Sequence, residues 1–257
     1  MLPPGPEVAF GLVETADEAR QRLAAIADRG GRVGLDLETT GLDPLLARPR
    51  LLQLAADSGP VLVVDLFKAG GLEPLRGELE RLRAVAHNAV FDAAFLRRAG
   101  MEMVPDCTML AAHALTGRRE KLSTLVTEYL DLPMEKALQT ADWGGELSEA
   151  HLRYAALDAL ATLRLWHALA AEMEERGCGR AYALMRDAQP AVVQMRLVGM
   201  PFDVAAQREL VARLTEDRKR LRSSLERELG GRNPNSGPQL SGPSSRSLGT
   251  QGGFRLR

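Results

Sequence analysis

The stretch RVGLDLETTGL, residues 32–42, decides the fold of this chain. Its apolar residues alternate with the others, and a period of two predicts a β-strand over residues 32–38. Alternate side chains on a strand point to opposite faces, so Asp36 and Glu38 share one face. Neighbouring carboxylates repel each other unless a cation lies between them, and hard oxygen ligands suit Mg²⁺ or Mn²⁺. The pair is equally consistent with an acidic strand end that faces solvent.

Strands and helices are predicted on both sides of this strand. Three strands joined by short loops indicate an antiparallel meander, and the helix–strand–helix pattern that follows indicates an α/β sandwich. Capping patterns open two helices, Thr15-x-x-Glu18 and the weaker Ser148-x-x-His151. The chain from Thr108 to Gly177 is predicted to be mostly helical. Earlier strands are predicted at 8–13, 32–38, 51–56, 61–66 and 84–87, and earlier helices at 16–28, 72–82 and 89–98.

Two further acidic residues stand out. Asp92 falls in the first turn of a predicted helix with Asn88 at its N-cap, where an Asp often only complements the helix dipole. Tyr154 and Asp158 are four residues apart on a helix, so they share a face among apolar neighbours. Either the two satisfy each other inside the core, or the carboxylate ligates a metal beside a phenol that orients water.

Three motifs together resemble those of a known superfamily. In chain order they are DLETTGL (36–42), HNAVFD (87–92) and YAALD (154–158). Their order and internal spacing resemble the exonuclease motifs of the DnaQ-like, RNase H-fold superfamily, and Tyr154, four residues before Asp158, resembles the DEDDy subgroup. Residues 138–159 are also similar to RNase D, to Werner-type exonucleases and to the proofreading domains of family A DNA polymerases. The resemblance covers roughly residues 8–177.

This resemblance implies an α/β, RNase H-like exonuclease fold: a mixed sheet of three antiparallel strands and then a parallel strand, flanked by helices. It implies a metal-dependent 3′→5′ exonuclease that releases nucleoside 5′-monophosphates and uses two divalent ions, Mg²⁺ or Mn²⁺. The implied metal ligands are Asp36, Glu38, Asp92 and Asp158, and Tyr154 joins them as a catalytic residue. The implied substrate-binding residues are Thr39, Leu42 and Asn88. For Leu42, a plain core leucine is the alternative.

The chain is predicted to contain an exonuclease domain (residues 1–179), a helical segment (180–236) and a disordered tail (237–257). The helical segment resembles the start of the polymerase domain that follows the proofreading domain in family A DNA polymerases. The tail is rich in Gly, Ser and Pro and cannot bury much apolar surface. Because the resemblance stops near Leu240, we expect no polymerase activity, and a natural truncation and a frameshifted end both remain open.

Composition narrows the class of protein. The chain carries 33 basic and 34 acidic residues, so it lacks the basic excess typical of tight, nonspecific duplex binding. It has no apolar run long enough to span a bilayer, no signal-peptide pattern, and two cysteines that suggest neither a disulfide framework nor a zinc cluster. We therefore expect a cytoplasmic protein without a membrane partner. Its expected partner is nucleic acid, a single-stranded DNA 3′ end before RNA, with a separate polymerase or repair protein as a further candidate.

Several functions remain open at this point. The first is a DNA 3′→5′ exonuclease related to family A polymerases. The second is an RNase D-like exoribonuclease, because the exonuclease motifs do not distinguish the sugars. The third is a non-catalytic nucleic-acid-binding module, against which the complete set of four carboxylates and a tyrosine argues. An Asp-x-Asp phosphatase is more distant, since the second acid here is Glu38.

Overall fold

The computed structural model describes residues 8–132 and 142–240, so the segment 133–141 and the predicted tail beyond residue 240 lie outside the described residues. Within the described ranges one sheet contains β1 (Phe10–Val13), β2 (Arg32–Thr39), β3 (Pro49–Ala55), β4 (Val61–Asp65), β5 (Arg83–Ala86) and β6 (Asp106–Cys107). The helices are α1 (Ala16–Arg29), α2 (Arg76–Leu79), α3 (Val90–Arg98), α4 (Thr108–Thr116), α5 (Leu122–Leu130), α6 (Glu149–Glu175), α7 (Gly179–Val198), α8 (Val204–Glu228) and α9 (Gly237–Leu240).

The strands follow the order β1-β4-β3-β2-β5-β6 across the sheet. β2, β3 and β4 are antiparallel neighbours, and β5 runs parallel to β2. The predicted mixed sheet of three antiparallel strands followed by a parallel strand is therefore confirmed. Two features were not predicted: β1 pairs in parallel with β4, and the two-residue β6 extends the other edge. Alternation along a strand reveals its buried face but not the direction of its partner, and two residues are too few to show a period.

The long helix α6 crosses the sheet directly over β2. Gly34 makes this crossing possible, because a Cβ built at that position would lie 2.2 Å from the carbonyl oxygen of Ala159. On the opposite face of β2, Leu35 and Leu37 belong to the main apolar core together with residues of α1 and α3. The face of β2 that carries Asp36 and Glu38 is thus brought against α6, the helix that carries Asp158.

Local predictions for the helices are confirmed at two caps and wrong at two other places. Thr15 accepts a hydrogen bond from the Glu18 amide, and Ser148 and His151 form a reciprocal capping box. The helix predicted over 72–82 is a 3₁₀ turn at Glu73–Leu75 followed by the four-residue α2. Proline in the 3₁₀ turn and glycine within α2 both weaken helix propagation.

Asn88 is not the N-cap of α3, as the sequence predicted. Ala89 occupies that position, and Asn88 adopts a left-handed conformation with φ of 59°. Asparagine tolerates this region of backbone space better than most residues. The carbonyl of Asn88 accepts a hydrogen bond from the Phe91 amide, so the residue forms the turn that leads into α3.

The helix α7 belongs to the same compact unit as the sheet, Met1–Gly199. The hydroxyl of Tyr182 donates to Asp106 Oδ1 at 2.6 Å and accepts from the Cys107 amide at 3.1 Å. Farther along α7, Val193 is buried with Ala93 and Ala94 of α3. These contacts fix α7 on both β6 and α3. The sequence-based limit of the exonuclease domain at residue 179 remains a prediction.

The second compact unit is Met200–Arg257 and contains α8 and α9 in its described part. α8 begins at an N-cap, Asp203, whose side chain accepts from the Ala206 amide at 2.9 Å. It has no buried residue, as expected of a helix rich in Arg and Glu. Among the described helices of the whole chain, none combines the length and apolar character needed to cross a membrane.

Candidate active site

Three carboxylates meet where β2 lies against α6. Asp36, Glu38 and Asp158 each offer an oxygen, and these oxygens all lie within 4.8 Å of one another. The strand period of two places the first pair on one face, and the close crossing at Gly34 brings the third residue to it. The alternative that Asp36 and Glu38 only form a solvent-facing strand end does not fit this arrangement.

Asp92 adds a fourth carboxylate from the first turn of α3. It is only 2% exposed, and its Oδ1 has no hydrogen-bond partner in the described structure. A carboxylate that merely complements a helix dipole has no need of such burial, because it does so equally well in contact with water. A buried oxygen without a partner costs free energy, and a cation is one way to supply what is missing.

The four acids crowd negative charge together, with Asp92 buried and Asp36, Glu38 and Asp158 half-buried. Burial raises the pKa of Asp36 to about 6. Burial, and then the charges of the other three acids, raise the pKa of Glu38 to about 10. Burial and the charge of Asp36 also raise the pKa of Asp92 and of Asp158 well above the usual range of an aspartate. The ionised cluster therefore requires positive charge nearby, and hard carboxylate oxygens fit a divalent cation such as Mg²⁺.

Tyr154 lies one helical turn before Asp158, and its phenol interacts with that carboxylate. Burial, followed by the negative charges of Asp158 and Glu38, raises the pKa of the phenol, so the hydroxyl keeps its proton. The ring of Trp143 lies 6.4 Å from that of Tyr154 between centroids, and Trp143 is itself buried. Trp143, for which the sequence predicted no role, packs beside the tyrosine. A fixed, protonated phenol at the edge of the carboxylate cluster can position a water molecule.

Of the three residues expected to bind substrate, Thr39 ends β2, Leu42 lies in the loop after it, and Asn88 lies in the turn before α3. Thr39 is buried at an irregularity in β2, and its hydroxyl donates to the Gly41 carbonyl at 2.7 Å. Leu42 is 79% exposed, so the core-leucine alternative is wrong. Asn88 is exposed in the turn before α3. Leu42 thus presents an apolar side chain to solvent three residues after β2 ends.

Arg196, at the end of α7, was missed by the sequence analysis. Its Nη2 donates to the Leu42 carbonyl at 2.7 Å, and its guanidinium lies 5.2 Å from the centre of the Phe91 ring. Its charge also counteracts the rise in the pKa of Asp92. No motif or period connects residue 196 to residue 42, because only the packing of α7 on α3 brings them together.

Comparison with known proteins identifies a family for most of this unit. The model of a family described as 3′-5′ exonuclease matches residues 11–174. This range includes the four carboxylates and Tyr154 and ends before α7.

Among curated proteins, DNA polymerase I of Aquifex aeolicus (strain VF5) is 32% identical over 176 residues, 67% of this chain. The chain spans only 29% of the length of that relative.

Among solved structures, Brucella melitensis NrnC bound to pGG is 26% identical with a TM-score of 0.60, and the match covers 77% of this chain and 98% of that chain. NrnC with bound Mg²⁺ is 25% identical with a TM-score of 0.58 and the same coverage. The catalytic core of RRP6 from Trypanosoma brucei (18% identity, TM-score 0.63, 73% of this chain and 54% of that chain) is alike in fold.

Proposed function

Because this chain belongs to the 3′-5′ exonuclease family, we propose that it hydrolyses the terminal phosphodiester bond of single-stranded or frayed DNA 3′ ends and releases nucleoside 5′-monophosphates. The observation that carries the proposal is the meeting of Asp36, Glu38 and Asp158, with their oxygens within 4.8 Å, beside the buried Asp92. A solvent-exposed group of acids has no such burial. The arrangement suits chemistry on a phosphate whose negative charge must be offset.

We propose that the four carboxylates hold two divalent ions, Mg²⁺ or Mn²⁺. Asp36, whose charge acts on the other three acids, would be shared by both ions, Glu38 and Asp158 would complete one site, and Asp92 would serve the other. When bound, such ions polarise the phosphodiester and stabilise the negative charge that develops on the attacking and leaving oxygens. The orphaned oxygen of Asp92 and the raised pKa values of all four acids support this assignment.

The remaining residues position the substrate and the attacking water. Tyr154, protonated and one helical turn from Asp158, donates to or accepts from the water together with Glu38. Leu42 packs against the terminal base with its exposed side chain, beside Thr39. Asn88, exposed in the turn before Asp92, steadies the strand near its 3′ end. The reaction needs no covalent intermediate with the protein.

DNA is the proposed substrate because two observations favour it over RNA. The curated relative is a DNA polymerase, and residues 180–236 resemble the segment with which the polymerase domain of family A enzymes begins. A role in proofreading, replication or repair beside a polymerase or repair protein in the cytoplasm follows as part of the same proposal. An exoribonuclease is the second candidate, because the exonuclease motifs do not distinguish the sugars.

The test is degradation of 5′-labelled single-stranded DNA and RNA of one sequence, with Mg²⁺, with Mn²⁺ and with EDTA. We expect a metal-dependent ladder that shortens from the 3′ end, faster for DNA, and no ladder for Asp36→Ala. A faster RNA ladder would select the exoribonuclease. Folded wild type that binds the oligonucleotides but cleaves neither would leave a non-catalytic binding module, and release of phosphate instead of mononucleotides would select a phosphatase.

A further inference from the structure

We propose that Arg196 is a positioning residue for the terminal nucleotide: it fixes the loop that carries Leu42, so that α7 completes the nuclease site. This inference rests on the proposed function. It extends that function to a helix beyond residue 174, where the match to the exonuclease family ends.

Arg196 connects two sides of the site. On one side its Nη2 donates to the carbonyl of Leu42 at 2.7 Å. On the other its guanidinium lies over the ring of Phe91, the residue that precedes the buried Asp92. Arginine suits this bridge, since its planar group can stack on an aromatic face while its N–H groups donate in the plane.

Arg98 of α3 holds one side of the loop that Arg196 reaches, since its Nη1 donates to the Pro44 carbonyl at 2.7 Å. The loop is also held at its base. There the Thr40 amide donates to the Arg48 carbonyl, and the Arg48 amide donates to the Thr40 hydroxyl, both at 3.0 Å. Beyond this pair the side chain of Leu42 projects into solvent, 79% exposed. An exposed leucine can pack against a base only if its backbone is held in place, because each loop conformation moves the side chain. The bond to the Leu42 carbonyl supplies that restraint at the residue itself.

The position of Arg196 is in turn set by packing, not by a mobile surface helix. One turn earlier on α7, Val193 is 1% exposed and is buried against Ala93 and Ala94 of α3. Gln189, also buried, donates to the Pro105 carbonyl at 3.4 Å. Since α3 also carries Asp92, the same helix determines the positions of Asp92 and Arg196. The distance between the Leu42 loop and the carboxylates is thereby fixed.

A 3′-terminal abasic nucleotide separates this role from a direct contact with phosphate. Such an oligonucleotide keeps every phosphate but offers Leu42 no base. For a normal 3′ end, Arg196→Met should raise KM about tenfold, as expected for the loss of one hydrogen bond from a charged donor, with kcat changed less than about threefold. For the abasic end, the same variant should change KM less than about twofold.

A double-mutant cycle tests whether Arg196 acts through Leu42. Leu42→Ala should raise KM for the normal end by a similar factor, and the double variant Arg196→Met/Leu42→Ala should be no worse than Leu42→Ala alone. Arg196→Lys keeps one donor and the charge, and should recover part of the loss. Arg186→Met is the matched control on α7, because that guanidinium bonds to the adjacent Asp187; it should leave KM unchanged. Melting temperatures of all variants show whether they fold.

An equal rise in KM on normal and abasic ends, or additive effects in the cycle, would overturn the inference. Arg196 would then contact the phosphates of the substrate directly or have only a structural role. An unchanged KM in a folded Arg196→Met would overturn it as well. Failure of the proposed function can be told apart from failure of this inference. If wild type degrades no DNA, both proposals are wrong. If wild type is active and Arg196→Met is equally active, only this inference is wrong.

Discussion

Gly34 of β2 lies so close to Ala159 of α6 that a Cβ on the glycine would stand 2.2 Å from the alanine carbonyl oxygen. The next residue outward on the same face of β2 is Asp36, and the residue before Ala159 is Asp158. The closest approach of strand and helix is therefore immediately beside the carboxylate cluster. A backbone contact without catalytic atoms sets the separation of two proposed metal ligands.

The variant Gly34→Ala should disrupt the site by pushing α6 away from β2. The added methyl group meets backbone, which cannot swing aside as a flexible side chain can, so we expect a loss of about 1–3 kcal/mol in the free energy of unfolding. We expect exonuclease activity to fall about 100-fold, because displacement by about 1 Å is enough to misplace catalytic groups. Denaturant unfolding and the rate of ladder formation measure the two effects. Gly77→Ala, where a Cβ would meet nothing within 4 Å, is the matched control and should lower neither the stability nor the activity.

Sequence alone was sufficient for the carboxylate cluster, because each of its members lies in a short-range pattern. The period of two in β2 places Asp36 and Glu38 on one face, and the helical spacing of four links Tyr154 to Asp158. The resemblance of the three motifs to exonuclease motifs then implied a shared site. The first two signals involve residues close together in the chain, and the structure brings Asp36, Glu38 and Asp158 together.

The features that sequence did not reveal depend on tertiary packing. Arg196 and Leu42 are 154 residues apart, and their hydrogen bond exists only because α7 packs on α3. The exposure of Leu42 could not be read from its type, because single leucines occur on surfaces as well as in cores. Asn88 looked like an N-cap from its position, yet its backbone turns into the left-handed region and leaves that position to Ala89.

Asp92→Asn tests whether the buried carboxylate serves a cation. The amide has the same shape but loses the charge, so activity should fall at least about 100-fold. Without a divalent ion the variant should be as stable as wild type or more stable. The reason is that it lacks a carboxylate whose ionisation is opposed by burial and by the charge of Asp36, which raise its pKa. Melting temperature in EDTA and the cleavage rate in Mg²⁺ measure these opposite effects. Asp28→Asn, at an exposed ion pair with Arg81, is the control. Reduced stability with unchanged activity would make Asp92 a structural residue.

Stability without metal should decrease as pH rises. The pKa values of Asp36 and Glu38 are raised in the folded protein to about 6 and about 10, so the folded state binds protons that the unfolded state has released. The stabilisation is complete below the unfolded pKa values, near 4, and is lost as pH rises through about 6 and on toward 10. In EDTA, the melting temperature should therefore be lower near about pH 8 than near about pH 5.5.

Mg²⁺ should reverse this trend, because it binds the ionised carboxylates of the folded state. The increase in melting temperature on adding Mg²⁺ should be larger at the higher pH, where fewer protons compete for the site. Asp36→Asn should show little increase at either pH. An equal increase at both pH values, or one that persists in Asp36→Asn, would place the bound ion elsewhere on the protein.

Tyr154→Phe isolates the contribution of one hydroxyl group. The ring that packs beside Trp143 is kept, while the interaction of the hydroxyl with Asp158 and any hold on the attacking water are lost. We expect kcat to fall about 100-fold with the stability changed by no more than about 1.5 kcal/mol, because one hydrogen bond contributes little net free energy to folding. Tyr129→Phe, on α5, removes a phenol that interacts with Glu172 outside the carboxylate cluster and should leave kcat unchanged.

Since the raised pKa of Tyr154 keeps its proton in place, the wild-type rate should show no loss attributable to phenol ionisation up to the usual tyrosine pKa of 10.0. A phenylalanine variant with full kcat would leave the orientation of water to Glu38 alone.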